Sequence, residues 1–259
     1  MQRTLHVIDQ LPHSIRIAAI GDLHIRRTIP TGIDVEIDAI AERADVMVIA
    51  GDITNNGTLA QAELAAEWLS RSALPKVAVR GNHDRRCMRP MAFKEILGDA
   101  GVQFIDGGTL VFEQDRRLGF AGVSGSGGGF WPDEGPDTLP RRALQRLAVR
   151  ARSEANRLRV AIDELDTELK IVITHVAPSV STLGTEPIFK QFLLGNMEFA
   201  RAIDDSNVDL VIHGHAHHGN PIGKTMGGTP VRNVAYDIAR SFIVLELAYA
   251  EPMTIERGA

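Results

Sequence analysis

The amino-acid sequence predicts an α/β fold built around parallel β-strands. Helix-like stretches at Val35–Arg43 and Leu59–Ser70 separate the first three of five strand-like runs. Alternating strands and helices of this kind form βαβ units, in which neighbouring strands are parallel. The five runs are short and rich in Ile and Val, as buried strands are. They are Ile15–Ile20, Asp45–Ala50, Lys76–Arg80, Lys170–Thr174 and Val208–Ile212.

Polar residues follow the predicted strands, and after the first three they do so at a regular interval. These strands end in GDLH, GD and GNHD, so that Asp22, Asp52 and Asn82 are thirty residues apart. One βαβ step takes roughly 30 residues, so we expect the three side chains at the same edge of one sheet. The fourth strand ends in His175 and the fifth in HGHAH, which extends the expectation to five strands at one edge. Ligands of open α/β sheets bind beyond the carboxyl ends of the strands.

Between Asn82 and His175 the regular spacing is lost. Three short runs there predict further strands, with antiparallel pairing as one option: Val102–Ile105, Leu110–Phe112 and Leu118–Val123. Near the C-terminus, the runs PVRNVA and RSFIVLELA predict two closing strands. The chain has no solenoid-type repeat and no clear linker, so we expect a single domain over residues 1–259 with an inserted loop and helix at about 122–165.

The predicted insertion begins with the glycine-rich loop Gly122–Asp137, which contains Phe130 and Trp131. Either the loop is a mobile rim of a pocket, or it is a surface connection whose two rings pack in the core. A long helix from Leu139 to about Leu165 follows, because apolar residues recur there at helical spacing. Its arginines form either a solvated face or a basic lip for a phosphate-bearing substrate. They are Arg141, Arg142, Arg146, Arg150, Arg152, Arg157 and Arg159.

The composition is that of an ordinary globular protein. The chain has 259 residues, of which 44% are hydrophobic and 24% charged, enough for a substantial core. A net charge of −5 gives no general attraction to nucleic acid or to an anionic membrane. The single cysteine, Cys87, excludes an intramolecular disulfide and fits a reducing compartment. The sequence shows neither a signal-peptide pattern nor an apolar run of membrane-spanning length, so we expect a cytoplasmic protein without a membrane partner.

Nine side chains with metal-binding or acid–base chemistry are expected to converge at the strand ends: Asp22, His24, Asp52, Asn82, His83, Asp84, His175, His215 and His217. Mixed imidazole and oxygen donors suit zinc, manganese, iron or cobalt better than calcium or magnesium. The set is too large for one tetrahedral ion and suits two ions that share a carboxylate. Two ions roughly 3.5–4 Å apart can clamp an in-line displacement at phosphorus and generate hydroxide near neutral pH.

The ordered motifs GDLH, GD, GNHD, a later histidine and GHAH resemble the calcineurin-like metallophosphoesterase family over the range from Gly21 to His217. The resemblance implies two packed, mostly parallel or mixed β-sheets flanked by helices, which is a four-layer αββα sandwich. It implies a phosphoric ester hydrolase with two divalent or transition metal ions, for which manganese, iron and zinc are candidates. The implied reaction is in-line attack of a metal-bridging hydroxide on phosphorus.

The resemblance also implies roles for individual residues. Asp52 would bridge the two ions. His83 would lie outside the metal shell and donate a hydrogen bond or proton to the substrate, oriented by Asp84. No ligand role is implied for His213, which we expect to support the site or the core, and His218 is expected at the surface. The other implied ligands are Asp22, His24 and His217 for the first ion, and Asn82, His175 and His215 for the second.

Several activities remain open on such a site. We favour a phosphodiesterase that acts on a small-molecule phosphate ester. A phosphomonoesterase or a nuclease is the alternative, although an aromatic content of 5% gives few platforms for stacking bases. A non-catalytic scaffold is a further alternative, against which the complete ligand set and His83 argue.

Residues around the predicted strand ends bear on substrate choice. Asn55 stands where purple acid phosphatases have a tyrosine, which argues against a tyrosinate-coloured iron site. We expect the segment Thr174–Phe192 to wall the pocket. Arg85 and Arg86 either contact a phosphate or lie on the surface.

Overall fold

The computed structural model describes residues 3–5, 14–113, 116–130 and 140–249. Within these residues the strands are β1 (Arg3–Leu5), β2 (Ser14–Ile20), β3 (Val46–Ala50), β4 (Lys76–Val79), β5 (Val102–Phe104), β6 (Gly108–Glu113), β7 (Arg117–Val123), β8 (Leu169–Thr174), β9 (Leu210–His213), β10 (Ile222–Lys224), β11 (Pro230–Asn233) and β12 (Ile243–Ala248). The helices are α1 (Ile33–Arg43), α2 (Leu59–Leu69), α3 (Pro90–Asp99), α4 (Arg141–Asp163), α5 (Ile188–Leu194), α6 (Met197–Asp204) and α7 (Tyr236–Ala239).

The strands form two mixed sheets, as the sequence resemblance implied. One sheet has the order β12-β2-β3-β4-β5, with β12 antiparallel and the other neighbours parallel. The second has the order β1-β6-β7-β8-β9-β11-β10, in which the pairs β6–β7 and β10–β11 are antiparallel and the rest parallel. The antiparallel option that the sequence left open thus applies to β6 and β7, whereas β5 continues the parallel part of the first sheet.

The expectation that five strands end at one edge of one sheet is wrong. The strands that precede Asp22, Asp52 and Asn82 lie in the first sheet, whereas those that precede His175 and the HGHAH run lie in the second. The sequence between β5 and β7 adds a hairpin instead of another crossover helix, and this hairpin begins a new sheet. Two sheets therefore contribute residues to the site.

Apolar residues on both faces of each sheet hold the layers together. Ile17 and Val48 face the second sheet, where they pack with Phe120 and other buried residues. Ile20 and Ile49 face the opposite way, into a cluster with residues of α1, α2 and α3. Each fully buried side chain of this size contributes roughly 1.5–3 kcal/mol. Since strand residues are buried on both sides, the strands read as continuous apolar runs in the sequence.

The outer face of the second sheet is covered by α4 and α6. Leu158 and Ile162 of α4 pack with Phe199 and Ile203 of α6 and with buried residues of the sheet. None of the helices in the described ranges combines the length and the apolar character needed to cross a bilayer.

Four helices were not predicted from the sequence, namely α3, α5, α6 and α7. Only Phe93 and Leu97 of α3 are fully buried, so its apolar signal is short. On the seven-residue α5, Ile188 and Phe189 are exposed, so the apolar residues there do not mark a single buried face.

The glycine-rich loop is described only in part. Its residues from Trp131 onwards lie outside the described residues, whereas Phe130 is buried in a small apolar cluster.

Gly81 provides a test of how tightly the strand ends pack. A Cβ atom there would overlap the backbone nitrogen and Oδ1 of Asp52. We expect Gly81→Ala to lower the free energy of unfolding by about 1–3 kcal/mol, which is the usual effect of overpacking. In the control Gly98→Ala, the new Cβ meets no atom within 4 Å, and the helix α3 should gain about 0.5–1 kcal/mol. Urea unfolding of both variants measures the difference, and equal stabilities would contradict the packing described.

Candidate metal site

The carboxyl ends of strands from both sheets meet and bring the predicted residues together. From the first sheet, the segments after β2, β3 and β4 carry Asp22, His24, Asp52 and Asn82, and from the second those after β8 and β9 carry His175, His215 and His217. The His and Asp members, together with His83, fall into three overlapping groups whose donor atoms lie within 4.8 Å of one another. Backbone contacts join the two sheets at these ends, such as the bond from the amide of Gly21, after β2, to the oxygen of Val234, after β11, at 2.8 Å.

Four of these residues have a left-handed backbone conformation. Asp22, His24, Asp52 and His215 have φ angles of 56°, 46°, 49° and 69°, and among the described non-glycine residues only Arg240 shares a positive φ. This conformation costs roughly 1–2 kcal/mol per residue. The bonds that hold it include His24 N to the oxygen of Asp52 at 3.0 Å and His215 N to the carboxylate of Asp22 at 2.7 Å. Strain of this kind concentrates at functional sites.

The first group consists of Asp22, His24 and His217. Oδ1 of Asp22 lies 3.2 Å from Nε2 of His217 and 3.8 Å from Nε2 of His24. The two Nε2 atoms face each other at 3.4 Å. Three donor atoms with lone pairs therefore surround one point, which is the arrangement that a cation requires.

The second group lies next to Asp52. Oδ2 of Asp52 lies 3.4 Å from Nε2 of His175, and this nitrogen is 2.9 Å from Oδ1 of Asn82. His215 completes the group, and Asp22 of the first group also lies within reach of it. The same Oδ2 atom lies 3.6 Å from Nε2 of His24, a member of the first group. Asp52 thus stands between the two groups.

Two ring nitrogens that point away from the groups are fixed by other residues. Nδ1 of His175 contacts the backbone oxygen of Ala50 at 2.9 Å, and Nδ1 of His217 contacts Oδ2 of Asp237 at 2.7 Å. Such contacts fix the tautomer of a metal-binding histidine and leave Nε2 as the ligand atom. Asp237 was missed by the sequence reasoning, because it lies on the short helix α7, outside every recognised motif.

Two histidines of the HGHAHH run lie apart from the groups. His213 is fully buried, and its ring nitrogens contact the backbone oxygen of Gly214 and Oγ1 of Thr182 at 2.7 and 2.8 Å. Burial lowers the pKa of His213 to about 4, so the ring is neutral and structural. His218 is exposed, as predicted from the sequence.

His83 shares the third donor group with His24 and Asp52, but Asp84 does not orient its ring. Nδ1 of His83 instead contacts the backbone oxygen of Asn55 at 2.5 Å, and Nε2 lies 3.2 Å from a nitrogen of Arg86. The Asp84 carboxylate is fully buried and accepts bonds from the amides of Gly81 and Thr54 and from the Thr54 hydroxyl. Burial and the charge of Asp52 raise the pKa of Asp84 to about 6. Asp84 therefore ties the loops after β3 and β4 together.

The charges within the site are strongly coupled. Burial disfavours charge on Asp22 and Asp52, but contacts with His217 and His175 outweigh it and hold the pKa of both carboxyls below their usual range. Burial disfavours the charged form of His175, but Asp52 outweighs this and raises the pKa to about 10. Contact with Asp22 raises the pKa of His217 to about 9 despite burial. Burial, together with the charge of His175, lowers the pKa of His215 to about 3.

These residues fit divalent transition-metal ions. The donors are imidazole nitrogens and carboxylate oxygens, the ligands that such ions prefer. Within the described part of the chain, Oδ1 of Asp22 and Nδ1 of His24 are buried and have no hydrogen-bond partner. An unpartnered carboxylate oxygen in the interior is costly unless a cation binds it. The two buried carboxylates likewise require positive charge, which ions would supply.

Comparisons with known proteins agree with this geometry. The sequence profile described as calcineurin-like phosphoesterase matches residues 15–219. No curated protein matches the sequence significantly. One solved structure, 13% identical, superimposes with a TM-score of 0.58 over 92% of this chain and 100% of its own.

Two named structures share the fold at low identity. A candidate 5′-nucleotidase from Staphylococcus aureus, in complex with α-ketoglutarate, is 14% identical with a TM-score of 0.56, over 85% of this chain and 48% of its own. A Thermus thermophilus sulfate thiohydrolase in complex with glycerol is 12% identical with a TM-score of 0.52, over 93% of this chain and 58% of its own. The chain thus spans about half the length of each of these two proteins.

The contact between Asp237 and His217 makes a prediction about ion binding. Asp237→Asn should lower the affinity for a divalent ion by about 10–100-fold, the usual effect of removing such a partner. It should also lower the pKa of His217, because the charge of Asp237 helps to raise it. Competition with a chelating dye measures the affinity for the ion, and NMR of the ring nitrogens as a function of pH measures the pKa of His217. Arg240→Asn, which removes the ion pair on the other oxygen of Asp237 and the contact of Arg240 with the Tyr236 ring but leaves the contact with His217, is the control, and equal affinities in both variants would contradict the prediction.

Proposed function

Because the chain belongs to the calcineurin-like phosphoesterase family, we propose that it is a hydrolase of phosphodiesters that requires two metal ions. The observation that carries this proposal is the position of Asp52. Its buried Oδ2 atom lies 3.6 Å from His24 and 3.4 Å from His175, which belong to two different groups of donors. A carboxylate in that place can serve two ions at once, and two ions so placed can stabilise both the attacking and the leaving oxygen of an in-line displacement at phosphorus.

We assign the remaining ligands by the same geometry. Asp22 is buried against His24 and His217, which form one site, and Asn82 contacts His175, which forms the other with His215. Manganese, iron and zinc all suit these donors. When bound, the ions supply a nucleophile derived from water and neutralise charge on the phosphoryl oxygens.

His83 is suited to act on the departing oxygen. Its Nε2 atom lies 3.9 Å from Oδ2 of Asp52, in the third donor group with His24 and Asp52, and His83 belongs to neither of the two groups to which we assign the ions. The backbone oxygen of Asn55 accepts from Nδ1, so Nε2 is the nitrogen available to a substrate. In the structure Nε2 accepts a hydrogen bond from Arg86, so it takes up a proton only when Arg86 moves away. A protonated Nε2 at this place can donate its proton as the bond from phosphorus to oxygen breaks.

A cleft beside the donor groups supports a diester as the substrate. It has a volume of about 530 Å³, and both Asn82 and His215 line it. A phosphodiester has substituents on two sides of phosphorus, and the cleft provides room for the second. Phosphomonoester hydrolysis on the same residues is the alternative. A panel of monoesters, cyclic nucleotides, dinucleotides and phospholipid head groups, each with added manganese, distinguishes the two activities by their kcat/KM.

Removing the charge of Asp52 tests the two-ion site. We expect Asp52→Asn to lower kcat/KM by at least about 100-fold and the metal content below two ions per chain, since an amide bridges ions poorly. Elemental analysis of protein purified without chelator measures the content. The control Asp99→Asn makes the same chemical change at an exposed position and should leave both kcat/KM and the metal content unchanged. Full activity of Asp52→Asn after metal removal would refute the two-ion proposal.

His83→Ala tests proton donation by comparing two leaving groups. An alkoxide needs a proton as it departs, whereas nitrophenolate scarcely does. General acid catalysis contributes about 10²–10⁴-fold, so we expect a loss of that size for alkyl or nucleoside diesters and a much smaller loss for nitrophenyl esters. The metal content should stay unchanged, and the exposed His218→Ala is the control. Equal losses on both substrates would show that His83 contacts the phosphoryl oxygens instead.

A further inference from the structure

The cleft next to the donor groups is rich in positive charge. Three guanidinium groups line it, those of Arg85, Arg86 and Arg150. Arg150 belongs to α4, and its side chain is 48% exposed, so it is available to a bound molecule. The arginine-rich helix noted in the sequence therefore reaches the candidate site through this residue.

One buried carboxylate holds part of this charge in place. Oε1 of Glu154 lies 3.1 Å from Arg85 and 3.4 Å from Arg150, and it accepts a bond from the hydroxyl of Ser126 at 3.1 Å. Arg85 also contacts the backbone oxygen of Gly125. A single carboxylate neutralises one of the three guanidinium groups, so the cleft keeps a positive excess that is independent of the two ions.

Next to these arginines, part of the cleft wall is a glycine-rich backbone. Gly125, Ser126 and Gly127 line the cleft, and their amides donate no hydrogen bond to a residue that the structure describes. Gly125 has a φ of 88°, a conformation that only glycine adopts readily. Unpaired backbone amides beside arginines form a concave surface that suits phosphate oxygens.

We propose that this cleft is a subsite for a second phosphate group of the substrate, bound between Arg150, Arg86 and the amides of residues 125–127. The proposal rests on the hydrolase function above and narrows it to esters that carry a second phosphate away from the scissile one. Leu147, Val176 and Leu193 also line the cleft and would contact the carbon skeleton between the two phosphates. Arginine binds phosphate through two parallel hydrogen bonds, which fixes the orientation of the substrate.

Inhibition by paired compounds tests the subsite. Alkanediol bisphosphates with two to six carbon atoms are compared with alkyl monophosphates of equal length, as competitors of bis(p-nitrophenyl) phosphate hydrolysis, with free manganese held constant. At one length or more, the bisphosphate should bind at least about tenfold more tightly, the effect of one charge-assisted hydrogen bond. Arg150→Gln should abolish most of this advantage. Arg152→Gln changes the same charge on the same helix outside the cleft and should keep it.

Two outcomes would overturn the subsite: the bisphosphates show no advantage at any length, or the advantage survives Arg150→Gln. Monophosphates that bind more tightly as the chain lengthens, with no gain from the second phosphate, would show that the cleft binds an apolar group. Calorimetric binding of the same pairs to the manganese-loaded protein gives the ratio without turnover. Failure of the hydrolase proposal, seen as absent hydrolysis, is thereby distinguished from failure of the subsite.

Discussion

The carboxylate of Asp52 is the constraint on which the site depends. Its side chain is 1% exposed, its backbone is left-handed, and its Oδ1 accepts the amide of His83 at 2.8 Å, so it cannot turn away. A buried carboxylate requires compensating charge. The second sheet meets this need by placing His175 at 3.4 Å. The same contacts therefore hold the two sheets together and compensate the charge of the buried carboxylate.

Much of the first sheet and of the site could be predicted from the sequence. Strand ends thirty residues apart placed Asp22, Asp52 and Asn82 at one edge, because a βαβ unit has a fixed length. The placement of the histidines in a different sheet could not be predicted from strand patterns. Ile-rich and Val-rich strands buried on both faces look alike whichever sheet they join, so local pattern carries no information about the partner strand.

The residues that support the site escaped prediction for a related reason. Asp237 follows His217 by twenty residues and reaches it because β11 pairs with β9. The sequence pattern of such short strands does not predict this pairing. Nothing in the sequence distinguishes Glu154 on the arginine-rich helix, whereas in the fold it is buried and holds Arg85. The family resemblance implied that Asp84 orients His83, but its carboxylate instead accepts hydrogen bonds from the amides of Thr54 and Gly81. Such side chains act through tertiary contacts that sequence spacing does not encode.

The origin of the candidate metal ligands in two separate sheets has a consequence for the folded protein itself. Ions bound there would join the halves of the sandwich, and the unfolded chain has no preformed site. A ligand present at a thousand times its dissociation constant stabilises the folded state by about 4 kcal/mol, a large share of the stability of an ordinary domain. The steady-state amount of folded protein would then follow the supply of free metal, so metal starvation would reduce abundance through proteolysis as well as through lost catalysis.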